Sequence, residues 1–95
     1  MRHYNWSKEK NEKLKAERGI SFEQVVLQIA GGNIKAVYEH PNRSRYANQS
    51  ILVIEIDSYC YLVPYVEDEN GVFLKTIIPS RKATRMYIGE ENEES

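Results

Sequence analysis

Residues 20–32, "ISFEQVVLQIAGG", put the tightest constraint on the fold. Ser21 with Gln24 three residues later is the pattern of a capping box, and Ile20 with Val25 fits a hydrophobic staple. Phe22, Val25, Val26 and Ile29 then fall at i, i+3, i+4 and i+7, one apolar stripe, before Gly31-Gly32 ends the helix. A short helix with a single stripe is not stable alone and must lay that stripe on a flat apolar surface.

The surface comes from four later runs: "IKAVYEH" (34–40), "SILVIEID" (50–57), "YCYLVPYVE" (59–67) and "VFLKTIIP" (72–79). All are rich in β-branched and aromatic residues, the composition of strands. Asp57-Ser58 leaves room only for a tight hairpin turn, and "DENG" (68–71) is a second turn with Gly71 available for positive φ. The last three runs therefore form an antiparallel meander. Pro64 has no donor for a ladder and marks a bulge or an unpaired edge position. Strand periodicity places Tyr59, Tyr61, Val63 and Tyr65 together, opposite Cys60, Leu62 and Val66, which makes the meander's other face rich in phenol rings. The same rule sets Lys75 opposite Leu74 and Ile78, or at the sheet edge.

Upstream, Ser7 and Gly19 bracket a second helix, "KEKNEKLKAER", with Leu14 and Ala16 as its apolar residues. Trp6 and Leu14 pin it, leaving Lys8, Lys10, Lys13, Lys15 and Arg18 exposed. The expected architecture is α+β: two N-terminal helices on a small four-stranded antiparallel sheet, with a short C-terminal helical turn. Ninety-five residues support one domain, read as residues 1–89, followed by an acidic tail at 90–95 that lacks apolar residues and is expected to be disordered.

With 41% hydrophobic and 28% charged residues the composition is that of a folded soluble protein, and no apolar run is long enough to span a membrane. The lone Cys60 forms no internal disulfide and fits a reducing cytoplasm. With His3 and His40 it offers no metal-ligand spacing, so neither metal nor cofactor is expected. The formal net charge of −1 is an average: without the four tail glutamates, thirteen cations stand against ten acids.

Those cations cluster. "FLKTIIPSRKATRMY" (73–87) carries Lys75, Arg81, Lys82 and Arg85 and no acid. If 80–87 is helical, Ser80 caps it and Arg81 and Arg85 stand one turn apart on one side. The loop "HPNRSRYANQ" (40–49) adds His40, Arg43, Arg45 and Tyr46, again without an acid. Cations interleaved with aromatic rings suit single-stranded RNA, charge meeting backbone and rings meeting bases. The plain alternative is a solvated basic loop and half-buried tyrosines.

"YNWSKEKNEKLKAERGISFEQVV" resembles the opening of BrnT-family toxins, with their aromatic-Trp-Asp start, Lys-Asn helix and His-Gly-x-Ser-Phe-Glu helix entry. "LKTIIPSRKATRMY" is similar to their basic-Ile-Ile-Ser-Ala-Arg-x-Ala stretch with a downstream Tyr. The order of elements agrees over nearly the whole folded chain. Ser7 stands where the family usually has Asp, Glu17-Arg18 where it has Lys-His, and Pro79-Ser80 where it has Ser-Ala. The resemblance implies a RelE-like fold and the toxin of a type II toxin–antitoxin system: an RNA-cleaving enzyme held inactive by a cognate antitoxin. Lys75 and Arg81 match basic positions of the C-terminal motif, and Arg45 a basic position before the second strand.

The implied reaction is metal-independent attack of a ribose 2′-OH on the adjacent phosphate, on the ribosome or on free RNA. It needs a charge clamp, assigned to Lys75 and Arg81, and a proton acceptor, assigned to His40 for its intrinsic pKa, ahead of Tyr65 or Glu39. Arg43, Arg45, Arg85 and Tyr65 are assigned to substrate binding. The competing reading is a non-catalytic RNA- or protein-binding module that uses the same basic surface.

Overall fold

A computed structural model describes residues 3–39 and 49–89. The chain runs β1 (Tyr4–Trp6), α1 (Lys8–Arg18), α2 (Phe22–Ala30), β2 (Ile34–Glu39), β3 (Gln49–Ile56), β4 (Tyr59–Asp68), β5 (Gly71–Leu74), β6 (Ile78–Pro79) and α3 (Arg81–Tyr87). The acidic residues 90–95, together with His40, Arg43, Arg45 and Tyr46, lie outside the described residues. Among the described residues no helix is long and apolar enough to cross a membrane.

Both N-terminal helices begin and end where their caps dictate. Ser7 accepts the Lys10 N–H and Gly19 closes α1 at φ 68°. Ser21 and Gln24 form the reciprocal capping box of α2. Phe22 and Val25 are fully buried, and Val26 and Ile29 pack against the same core. The lysines and Arg18 of α1 are exposed, and Leu14 is buried.

What fastens so polar a helix is Asn11, which is 3% exposed. Its Oδ1 accepts the Phe22 N–H at 2.8 Å and its Nδ2 donates to Glu23 at 2.9 Å. One α1 side chain thus satisfies the first turn of α2, while Trp6 stacks on Phe22 at 5.7 Å between ring centroids. The Asn11 amide is also the main reason the Glu23 carboxyl is held below its ordinary 4.5.

The sheet differs from the four antiparallel strands expected. It has six strands in the order β1-β5-β4-β3-β2, with β6 on β4, and β1 runs parallel to β5. "YNW" is too short to show a period, and its pairing to the far end of the chain is invisible locally. Gly71 makes the pairing fit: the His3 carbonyl lies 2.6 Å from where a Cβ would stand, and it accepts the Val72 N–H at 2.8 Å. The β3–β4 and β4–β5 hairpins form as their turns require, Asp57 and Ser58 having φ of 54° and 66°.

The final strand run does not continue as one strand. Leu74 pairs with Tyr65, but Ile78 pairs with Leu62, one residue out of step, and residues 75–77 leave the ladder. Pro64 is the cause: its carbonyl accepts the Lys75 N–H at 2.8 Å, but it has no N–H to return. The extra residue reverses the alternation, so Ile77 is buried and Ile78 exposed.

The main core lies between the sheet and α1/α2, built on Leu52, Ile54, Val63 and Leu74. Tyr61 and Tyr65 pack into it, so the phenol-rich face is the helix-covered face and not the open one. Burial pushes the Tyr61 hydroxyl up. On the opposite face a smaller core joins Val53 and Cys60 to Ala83 of α3.

Phe22→Ala is expected to cost about 3–5 kcal/mol, and Asn11→Ala about 1–3 kcal/mol because the Phe22 N–H is left buried without a partner; denaturant unfolding measures both. The Glu23 contribution is complete above pH 4.5 and fades as pH falls through the lowered value. Asn11→Ala should flatten that acid limb.

Candidate nucleic-acid interface

The C-terminal basic segment is a capped helix fixed to the sheet. Where β6 runs out, the Ser80 N–H donates to the Cys60 carbonyl at 3.0 Å. The Cys60 N–H then donates to Thr84 Oγ1 at 2.8 Å, and the Thr84 hydroxyl donates to the Ser80 carbonyl at 2.8 Å. Ser80 Oγ caps the helix by accepting the Ala83 N–H. Both backbone polar groups of Cys60 in β4 are thereby used to dock α3. Ala83 faces the sheet, and beneath it Cys60 is fully buried, its thiol pushed up first by burial and then by Glu55.

With Ala83 inward, the 100° step of a helix sets the other directions. Arg81 and Arg85 share one exposed flank; Lys82 and Met86 take the other and line a cleft between α3 and the sheet. The cleft has a volume of about 310 Å³, with Ile51, Val53 and Leu62 as floor and Tyr38 and Tyr87 as wall. The two tyrosine hydroxyls hydrogen-bond to each other. Glu39 and Ser80 complete the lining. An apolar floor with a few polar groups at the rim is the usual form of a small-ligand site.

Lys75 lies beyond α3 on the same sheet face, and its Nζ donates to Gln49 Oε1 at 3.4 Å. Tyr65 lies on the other face, half-buried with Tyr4, Ile29 and Val37, so it does not meet the cations. The structure therefore brings Lys75 and Lys82 to one face, sets Arg81 and Arg85 on the far flank of α3, and separates Tyr65 from all four. The segment bearing His40, Arg43 and Arg45 joins the fold at Glu39, which lines the cleft, and at Gln49, which holds Lys75.

Sequence alone does not single out Lys82, Met86 or the Tyr38–Tyr87 pair, because the two arginines beside them are the better phosphate ligands. The available signal was Ala83 with Tyr87, a small and a large apolar residue four apart that fix the inward side of α3. Compared with protein families, characterised proteins and solved structures, the chain matches none.

Thr84→Val keeps the shape of the side chain but strands the Cys60 N–H, and should cost about 1–3 kcal/mol. The local loosening should also speed labelling of Cys60 by a thiol reagent, a readout specific to α3 leaving the sheet.

Proposed function

We propose that this chain is the toxin of a type II toxin–antitoxin pair, a cytoplasmic, RelE-like endoribonuclease that cleaves RNA without a metal and is neutralised by a cognate antitoxin. The observation that carries the reading is the cleft: an apolar floor and tyrosine wall sized for a base, with Lys82 at its rim and Lys75 on the same face. The arginine-bearing connection between β2 and β3 starts and ends beside it. A base in the cleft and a phosphate between the lysines is the division of labour that single-stranded RNA requires.

In this reading the ribose 2′-OH attacks the adjacent phosphorus, the 5′-oxygen leaves as a hydroxyl by taking a proton from water, and a 2′,3′-cyclic phosphate forms. Lys75 and Lys82 hold the charge that builds on the phosphorane. Arg81 and Arg85, turned to the other flank, position the flanking strand instead of gripping the reacting phosphate. His40 takes the 2′-OH proton.

Induced expression should arrest growth, and co-expression of the antitoxin should relieve it. Lys75→Ala and Lys82→Ala should each remove about 3 kcal/mol of transition-state stabilisation, a rate factor of about 100. Both side chains are exposed, so melting should barely change, by under ~1 kcal/mol in stability. Arg81→Ala should weaken binding more than turnover, and Lys15→Ala on α1 should be silent. RNA binding without cleavage in the wild type would favour the inert binding module, and arrest that persists in Lys75→Ala/Lys82→Ala would sink the cleft as the reactive site.

A further inference from the structure

The outer edge of β2 is built to be paired. Among the described residues β2 has a single neighbour, β3, so alternate N–H and C=O groups along Ile34–Glu39 point away from the sheet. Edge strands of stable monomers are usually short, charged, broken by proline or covered. This one has six residues and no proline, and it exposes large apolar side chains on both faces: Val37 at 53%, Tyr38 at 46% and Ile34 at 37%. Val37 and Ile34 lie on the α1/α2 face beside Ile29 and Leu52, and Tyr38 lies on the α3 face. Its charged residue nearest the start, Lys35, sits at a bulge and is tied inward to Glu55 at 3.2 Å.

The sequence "IKAVYE" is complementary to itself when run antiparallel. With a two-fold axis through Val37, Val37 meets Val37 and Ala36 meets Tyr38 on either side of it. The small Ala36 leaves room for the Tyr38 ring across from it. The bulge lies outside the Ala36–Tyr38 centre. We propose that the chain forms a two-fold dimer through antiparallel pairing of β2 with β2 of a second copy.

An axis perpendicular to the sheet keeps equivalent faces together. The dimer is one continuous sheet with both α3 helices, and both clefts, on the same side. Tyr38, a wall of the cleft, stands next to the axis, so the two clefts are neighbours. This pairing is independent of the RNA reading: it can hold for a module with no catalytic activity.

The register is testable at one atom pair. Residues opposed in an antiparallel ladder have Cα atoms about 4.5–5.5 Å apart, within disulfide range. Val37→Cys should therefore crosslink the wild-type pair symmetrically under mild oxidation. Leu27→Cys, at a position that is 68% exposed on α2, should not, and buried Cys60 should stay unreacted in both. In sedimentation at about 100 µM, where a small interface of micromolar affinity is populated, the wild type should run as a dimer and Val37→Lys as a monomer with unchanged melting. A wild type that stays monomeric, with Val37→Cys crosslinking no faster than Leu27→Cys, overturns the proposal. So does a dimer that survives Val37→Lys, which would lie on another surface.

Discussion

The register of β3 against β4 is the constraint on which the remaining structure rests. Eight residue pairs run from Gln49–Val66 to Ile56–Tyr59, closed by a two-residue turn with positive φ at both positions. Because side chains alternate strictly, that turn decides which half of each strand meets the helices. It sends Leu52, Ile54, Ile56 and Val63 to α1 and α2, and Val53, Cys60 and Leu62 to α3. A one-residue slip would exchange the two sets, removing both the surface that receives Phe22 and the floor of the cleft.

From that register the position of α3 follows. Past Tyr61, β4 has no further partner in β6, and Cys60 is left with its backbone N–H and C=O to satisfy. Ser80 and Thr84 satisfy them, one from its backbone and one from its side chain. A buried peptide left unpaired would cost more than the few contacts a seven-residue helix makes, so the helix is held by the accounting of polar groups as much as by Ala83. The direction of Lys82 is then no longer free. It is fixed by which residue of α3 faces inward.

Most of what could be read from sequence was local chemistry. The Ser21/Gln24 box, the Ser7 and Ser80 caps and the Asp57-Ser58 turn each involve residues within four of one another, and each forms as its spacing requires. What stayed hidden depends on partners distant in the chain. Tyr4–Trp6 is a strand only because Gly71 admits its backbone; 75–77 bulges because of a proline on the neighbouring strand; Asn11 is buried because it bridges to another helix. Strand periodicity puts the tyrosines together on one side, but which side the helices cover is a tertiary choice. The basic segment was visible at once, whereas the separation of Lys82 from Arg81 required knowing how α3 sits. His40, Arg43 and Arg45 lie outside the described residues, and His40 is assigned as proton acceptor for its intrinsic pKa alone.

Among the described residues the two faces of the sheet are covered unequally, and the candidate site arises from that inequality. Two helices close one face into the larger core, where Phe22, Ile54, Leu74 and Val25 are fully buried. The seven residues of α3 cover only part of the other, from Cys60 towards β2. Beyond them Ile51, Pro64 and Val66 are half-buried, and Phe73 and Tyr38 are exposed. Such a surface would normally be closed by a longer helix, because burying it is favourable at roughly 25 cal/mol per Å². Leaving it open forfeits that gain on one face, which the better-packed face can tolerate. The uncovered strip is bordered by Lys75, by Lys82 and by the ends of the arginine-bearing connection, and among the described lining residues Glu39 alone carries negative charge. An apolar strip with Lys75 and Lys82 at its border is poorly suited to water and well suited to a ligand that is flat and apolar at one end and anionic at the other.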